Sequence, residues 1–239
     1  MRQSKKEHDP DRLWLNKGAT FTVANCSLGL PRFNSHANGW FLNILPDGRY
    51  EVVYDDEQNN QCFGAMATPS VLLQTDVVTL GEKTEDGEIV KSVRRTWPEI
   101  VKQVQRRRDF LFEFTKVSRA FEMFLAATYR MDGFDEVILT PRSNDRGRDV
   151  IASKTGRRIL EQAKAYKATR LVSHNEVREM IGVIAMDDKP SSGAITTTSD
   201  FAPTVCTGDA YAKFIPDKLE LRNGTQLRAW LVSLAAQAV

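Results

Sequence analysis

The sequence predicts an α/β fold: a mixed sheet with helices on its faces over residues 118–239, preceded by a small β-barrel-like domain over residues 17–80. Three observations carry that reading. After Glu136, short strand-type runs alternate with helical runs, the pattern of a sheet covered by helices. Between Trp97 and Met131, Phe110, Phe114, Val117, Phe121, Phe124 and Thr128 recur at spacings of four and three, which lines them along one helical stripe. Before residue 80, Gly39–Leu45 and Arg49–Tyr54 flank Pro46-Asp47-Gly48, a strong hairpin signal.

Taken in order, residues 1–16 are a polar, charged tail. Ala19–Cys26 is strand-like, and Ser27–Asn38 is a loop punctuated by Gly29, Pro31 and Asn34. Gln61–Ala67 and Val71–Leu73 complete the small β domain. Residues 81–117 read as linker and connecting helix: 81–96 is polar and Gly-containing, either linker or exposed hairpin, and Pro98 fits the first turn of the helix that follows. That helical stretch breaks near Lys116–Ser118. Glu136–Thr140, Asp149–Ala152 and Ile159–Tyr166 are three strands in succession. Ser173–Met186 is a helix with Ser173 or Asn175 as its cap and Val177, Ile181 and Ile184 on its buried side. Ser192–Thr198 is a buried strand, Pro203–Ala212 a short helix, Lys218–Arg222 a strand, Asn223-Gly224 a turn and Thr225–Ala236 the last helix.

The composition, 41% apolar and 27% charged, is that of an ordinary globular chain. No run of about 18 apolar residues is present, so no membrane partner is expected. The opening Met-Arg-Gln-Ser-Lys-Lys-Glu-His-Asp lacks the apolar stretch of a secretory signal. Cys26, Cys62 and Cys206 are far apart and odd in number, which fits a reducing, cytoplasmic setting and buried small side chains better than a disulfide framework. His8, His36 and His174 lack metal-ligand spacing, and no phosphate loop or dinucleotide fingerprint occurs. The net charge of +2 argues little, but nine Lys/Arg against three Asp/Glu lie between Pro141 and Arg170. Such a local excess suits a polyanionic substrate, although solvated basic surfaces are common. Arg106-Arg107-Arg108 is by the same token a solvated helix face or a phosphate contact.

The chemistry concentrates between Pro141 and Lys167. Gln162 and Lys164 are two apart in a strand and share a face. If the turn before them centres on Thr155-Gly156, Asp149 lies directly across from Gln162. A carboxylate, an amide oxygen and an ammonium would then meet on one patch of sheet, a setting for one hard cation and an activated water. Taken singly, each has a plainer reading: Asp149 as turn chemistry, Gln162 and Lys164 as an exposed strand face.

Two resemblances add to this. Gly39-Trp40-Phe41 with Asp47-Gly48-Arg49-Tyr50-Glu51-Val52-Val53-Tyr54-Asp55-Asp56 resembles the core of Tudor or SH3-like barrels. Such modules bind peptides, modified side chains or nucleic acid, and Trp40, Phe41, Tyr50 and Tyr54 are either barrel core or an aromatic pocket. No ligand can be assigned to this domain. From Ala120 to about Leu234 the chain resembles the catalytic domain of Mrr-like restriction endonucleases, of the PD-(D/E)xK nuclease superfamily. The matching residues are Phe121-Glu122, Gly133-Phe134, the stretch Leu139-Thr140-Pro141-Arg142-Ser143-Asn144-Asp145-Arg146-Gly147-Arg148-Asp149-Val150, Gln162-Ala163-Lys164, Thr197-Thr198-Ser199-Asp200-Phe201 and the Leu221-Arg222-Asn223-Gly224 turn.

The resemblance implies a metal-dependent DNA endonuclease with a restriction-endonuclease-like core, Mg²⁺ as cofactor with Mn²⁺ able to substitute, and a role in prokaryotic defence against foreign or modified DNA. It implies catalytic and metal-binding roles for Asp149, Glu122 and Gln162, with Gln162 where most of the superfamily carries Glu or Asp. Lys164 matches the motif lysine. Arg142, Arg146, Arg148 and Lys167 become candidates for DNA contact, and Thr198 and Ser199 for the border of the site. Superfamily nucleases often form homodimers to cut both strands, but no interface is legible here. Two rival readings stand beside it: a DNA-binding or scaffold protein with a nuclease fold and little activity, kept open by the neutral Gln162, and a nuclease effector regulated by a ligand of the N-terminal domain.

Overall fold

A computed structural model describes residues 77–237 except 95, 108, 144, 190 and 208. Before residue 77 it describes Leu73 and five strands. Those strands are β1 (Leu13–Trp14), β2 (Val23–Ala24), β3 (Gly39–Ile44), β4 (Tyr50–Asp55) and β5 (Gln61–Met66). They form an antiparallel sheet in the order β1-β3-β4-β5-β2. The hairpin expected around Asp47-Gly48 joins β3 to β4, with an irregularity between Phe41 and Asn43. The side chains of Trp40, Phe41, Tyr50 and Tyr54, and the tail over 1–16 beyond β1, lie outside the described residues.

A second compact unit comprises Val77–Val93 and Trp97–Val239. Its sheet has seven strands in the order β12-β11-β10-β9-β8-β7-β6. The strands are β6 (Val78–Lys83), β7 (Glu88–Val93), β8 (Glu136–Leu139), β9 (Val150–Lys154), β10 (Arg157–Lys164), β11 (Ser192–Thr197) and β12 (Leu219–Arg222). Pairing is antiparallel from β6 to β10 and parallel from β10 through β11 to β12. Of the two readings of 81–96, linker or hairpin, the structure adopts the hairpin. β7 pairs with β8, so the sheet reaches back to Val78, well before the boundary drawn at 118. The β6–β7 turn closes through Gly87, at φ 148°, where an added Cβ would meet the Leu139 carbonyl at 2.3 Å.

Helices cover both faces. On one, α1 (Thr96–Arg106), a 3-10 helix (Phe110–Lys116) and α2 (Ser118–Met131) carry the aromatic stripe. Phe110, Phe114, Phe121 and Phe124 are fully buried, and the Phe114 ring lies 5.1 Å from Phe121 and 5.3 Å from Phe124. The expected break falls at Val117, whose φ of −144° and ψ of 71° lie outside the helical region. It turns the chain between Phe114 and Phe121 while keeping their rings together. On the other face, α3 (His174–Ala185) buries Val177 and Met180 against Ile138, Ile151, Leu160 and Ile195. Met180 takes the fully buried place expected of Ile181 and Ile184, which are only partly covered. The short helix α4 (Pro203–Thr207) and the last helix α5 (Gly224–Gln237) complete the unit. Cys206, on α4, is exposed rather than buried. Among the described residues no helix is long and apolar enough to cross a membrane.

Strand alternation assigns β10 side chains to the two faces. Leu160 packs under α3, so Gln162 and Lys164 face that side; Ile159 and Glu161 face α2. Glu161 is wholly buried there, accepting hydrogen bonds from the Tyr129 hydroxyl at 2.6 Å and the Thr196 amide at 2.9 Å. The Arg222 guanidinium lies 3.4 Å from it and stacks 4.1 Å over the Trp230 ring. Burial pushes the Glu161 carboxyl up, so this network is a costly interior that its partners offset.

Candidate active site

The site grows from the β9–β10 hairpin. Thr155 and Gly156 both adopt positive φ, 45° and 78°, the geometry of a two-residue turn, and the register runs Lys154↔Arg157 to Val150↔Glu161. The ladder ends there: the Asp149 amide donates at 2.8 Å to the carbonyl of Glu161, the residue already paired with Val150, so two residues of this strand share one partner as in a β-bulge. The expected Asp149–Gln162 pair is therefore not one of the ladder pairs, and Asp149 reaches β10 through its side chain, at Ala163 between Gln162 and Lys164. The loop before it is fixed by the Thr140 hydroxyl, which donates to the Arg148 and Asp149 carbonyls at 2.7 and 3.0 Å. Arg146 and Gly147 both take positive φ there, and the Gly147 amide donates to Asp145 Oδ1 at 2.8 Å. A Cβ on Gly147 would lie 2.8 Å from Val183, so this turn packs close against α3.

Asp149 Oδ2 accepts a hydrogen bond from the Ala163 amide at 2.7 Å. Burial nevertheless dominates and pushes the Asp149 carboxyl up to about 7; the Ala163 N–H pulls it down, Glu122 and Asp145 push it up, and the Lys164 charge pulls it down. Gln162 Oε1 is buried without a hydrogen-bond partner. An under-compensated carboxylate and an orphaned amide oxygen are the kind of oxygen donors that a hard divalent cation would satisfy. Among the described residues no group of three His, Cys, Asp or Glu side chains gathers in metal-ligand fashion, so the amide is needed to complete such a set. Glu122, on α2, accepts from Arg119 Nη1 at 2.6 Å, and its charge is felt by Asp149.

Lys164 is mostly buried, with Nζ 3.8 Å from Glu176 Oε1. Its backbone carbonyl accepts from the Thr198 amide at 3.2 Å and the Thr197 hydroxyl at 2.8 Å. The Thr198 hydroxyl donates to the Tyr166 carbonyl and accepts from the Tyr166 amide, while Ser199 Oγ donates to the Arg170 carbonyl at 2.7 Å. Thr198 and Ser199 thus fasten the end of β10 to β11, with their hydroxyls committed to protein atoms. Arg142, Arg146 and Lys167 are exposed.

Arg148 differs from them. It is buried, with Nη2 2.6 Å from Asp86 and Nη1 3.3 Å from Asp187. Arg158 closes the network, its Nε 3.2 Å from Asp187 Oδ2. Both ends of the Arg148 guanidinium are spent on the hairpin turn and on the segment after α3, a structural tie in place of the expected phosphate contact. Gln162, Arg146, Arg148 and Arg158 line a cavity of about 830 Å³ beside α3. His174 is held between the Tyr211 hydroxyl at 2.9 Å and the Thr204 hydroxyl at 2.6 Å.

Sequence reasoning passed over Glu176, although its signal was present: Ser173-x-x-Glu176 is a capping box, and both of its reciprocal hydrogen bonds form. Asp86 and Asp187 were also missed.

Residues 117–231 match the family model of the Mrr catalytic domain, described as restriction endonuclease. This segment is a restriction endonuclease domain. The match falls on the stretch that carries Glu122, Asp149, Gln162 and Lys164, and the mixed seven-stranded sheet with its flanking helices is a restriction-endonuclease-like fold. Among curated proteins no relative matches. Two solved structures are similar at 20% identity: MspJI restriction endonuclease in complex with a 27-mer oligonucleotide (TM-score 0.40, 55% of this chain and 34% of that one) and the DNA modification-dependent restriction endonuclease AspBHI (TM-score 0.37, 67% and 44%). The chain thus spans less than half the length of either protein.

Proposed function

We propose that the restriction endonuclease domain hydrolyses DNA phosphodiester bonds with a divalent metal ion, Mg²⁺ or Mn²⁺ in its place, and that it acts in restriction of foreign or modified DNA. The observation that carries this reading is the buried Asp149 carboxylate held by the Ala163 amide, on the strand where Gln162, with an orphaned Oε1, and Lys164 share a face. Asp149, Gln162 and Glu122 are the residues that would hold the ion. When bound, the metal polarises a phosphoryl oxygen and lowers the pKa of a coordinated water.

The remaining chemistry belongs to the chain's own side chains. Lys164 brings a fixed positive charge to the phosphoryl group as negative charge develops on it. Arg142, Arg146 and Lys167 are exposed, and they are the residues that would grip flanking phosphates. The Ala163 amide holds Asp149 Oδ2, and Oδ1 is the oxygen that would take the cation.

A second reading, a DNA-binding protein with the nuclease fold and little activity, is favoured by the neutral Gln162, which removes one negative charge from the donor set. One assay separates them. Wild-type protein is expected to cut plasmid DNA with Mg²⁺ or Mn²⁺, while Asp149→Ala and Lys164→Ala do not. Retarded but uncut DNA in all three supports the binder, and cutting that persists in both variants removes this site.

A further inference from the structure

Glu176 has no part in the site described so far, yet it is the carboxylate that faces Lys164. It occupies the third position of α3. Its Oε2 accepts from the Ser173 amide at 2.8 Å and from the Ser173 hydroxyl at 2.9 Å, and its Oε1 accepts from the Tyr166 hydroxyl. Tyr166 is itself held: its backbone bonds Thr198 Oγ1 in both directions, and the Arg170 guanidinium lies 3.7 Å over its ring. Both carboxylate oxygens are therefore occupied by protein donors. Glu176 is an anchored anion and not an open metal ligand.

We propose that Glu176 is a positioning residue for cleavage, its anchored carboxylate holding the Lys164 ammonium on the face of β10 that also carries Gln162. This inference rests on the nuclease reading. The separation of 3.8 Å is an ion-pair distance beyond hydrogen-bond reach, so Lys164 is attracted while its N–H donors stay available to a phosphate. Both partners are largely shielded, with 18% and 15% of their side chains exposed, which protects the attraction from screening. Burial works against the ionised Glu176, but the Ser173 amide, the Tyr166 and Ser173 hydroxyls and the Lys164 charge together hold its carboxyl below the usual range. The anion is thus permanent at neutral pH. The strand end that carries Lys164 is pinned independently by Thr197 and Thr198, so the backbone sets where the side chain starts and Glu176 sets where it ends.

Capping alone does not require a charge at this position, because glutamine closes the same box as well as glutamate. Only Lys164 requires it. Glu176→Gln therefore separates the two roles. Three variants of the full chain, Glu176→Gln, Ser173→Ala and Lys164→Ala, are to be compared with wild type for single-turnover cleavage of duplex DNA with Mg²⁺, DNA affinity and melting temperature. Glu176→Gln is expected to slow the cleavage step about 10- to 100-fold with affinity and melting temperature near wild type. Ser173→Ala is expected to melt earlier and to lose less rate than Glu176→Gln, because the backbone amide at 173 and the Tyr166 hydroxyl still hold the carboxylate. Wild-type rate in Glu176→Gln beside an inactive Lys164→Ala overturns the inference and leaves the nuclease reading intact. A melting temperature in Glu176→Gln below that of Ser173→Ala overturns it too, since the carboxylate would then be structural. Absence of cleavage by wild type with every divalent ion tested removes the nuclease reading, and the inference with it.

Discussion

Asp149 Oδ2 accepts from the Ala163 amide at 2.7 Å, which sets a buried carboxyl against the strand that also carries Gln162, whose own Oε1 is buried without a partner. The carboxyl is pushed up to about 7 and the amide oxygen has no partner. This strain is what a bound cation would relieve, and it makes the metal-free protein measurable in its own right.

The first expectation concerns pH in the absence of metal. Asp149 binds its proton more tightly in the folded state than in the unfolded chain, where the ordinary value is 3.8. Between those values the folded state holds more protons, so stability falls as pH rises from about 4 to about 7, by roughly 4 kcal/mol over the full window. In chelator, Asp149→Asn should remove that contribution and melt higher than wild type at pH 8, because the Asn oxygen still accepts from Ala163 without a buried charge. Equal melting temperatures at pH 8 would count against the burial argument.

Gln162→Glu puts a second carboxylate on the residue next to Ala163, which holds Asp149. Like charges at this range repel, so the metal-free variant should melt below wild type near neutral pH. Added Mg²⁺ should then raise its melting temperature by more than it raises that of wild type, since binding to the folded state alone stabilises by mass action. Thermal melts with and without Mg²⁺ measure both effects. A smaller Mg²⁺ response in the variant would argue that the ion does not sit between these two strands.

Much of this was legible in the residues. The turn at Thr155-Gly156 fixes which residues oppose one another, so the pairs from Lys154↔Arg157 to Val150↔Glu161 follow from counting alone; the count fails at Asp149, whose amide joins the Glu161 carbonyl out of register. The phenylalanine spacing marked the buried stripe and even its break. What could not be read were pairings that leave no local period. Arg148 meets Asp86 and Asp187 across 62 and 39 residues, and nothing in the basic stretch sets it apart from Arg146 two positions earlier. The β6–β7 hairpin was obscure for another reason. Its outer half, from Gly81 to Glu85, is exposed and polar like a linker, and only Val78 and Val90 within its strands are fully covered.

The contrast between the arginines leads to the last expectation. Arg148→Ala leaves the nearly buried Asp187 short of a partner and should cost roughly 3 kcal/mol, seen as a lower denaturation midpoint. Replacing exposed Arg142, Arg146 and Lys167 together by Ala should leave that midpoint unchanged. If these three hold DNA phosphates, the triple variant should instead weaken DNA binding and flatten its dependence on salt, by about 0.9 in the log–log slope for each phosphate no longer neutralised. Fluorescence anisotropy across a salt series reads that slope. An unchanged slope in the triple variant, with a reduced one in Arg148→Ala, would reverse the assignment and return Arg148 to the DNA surface.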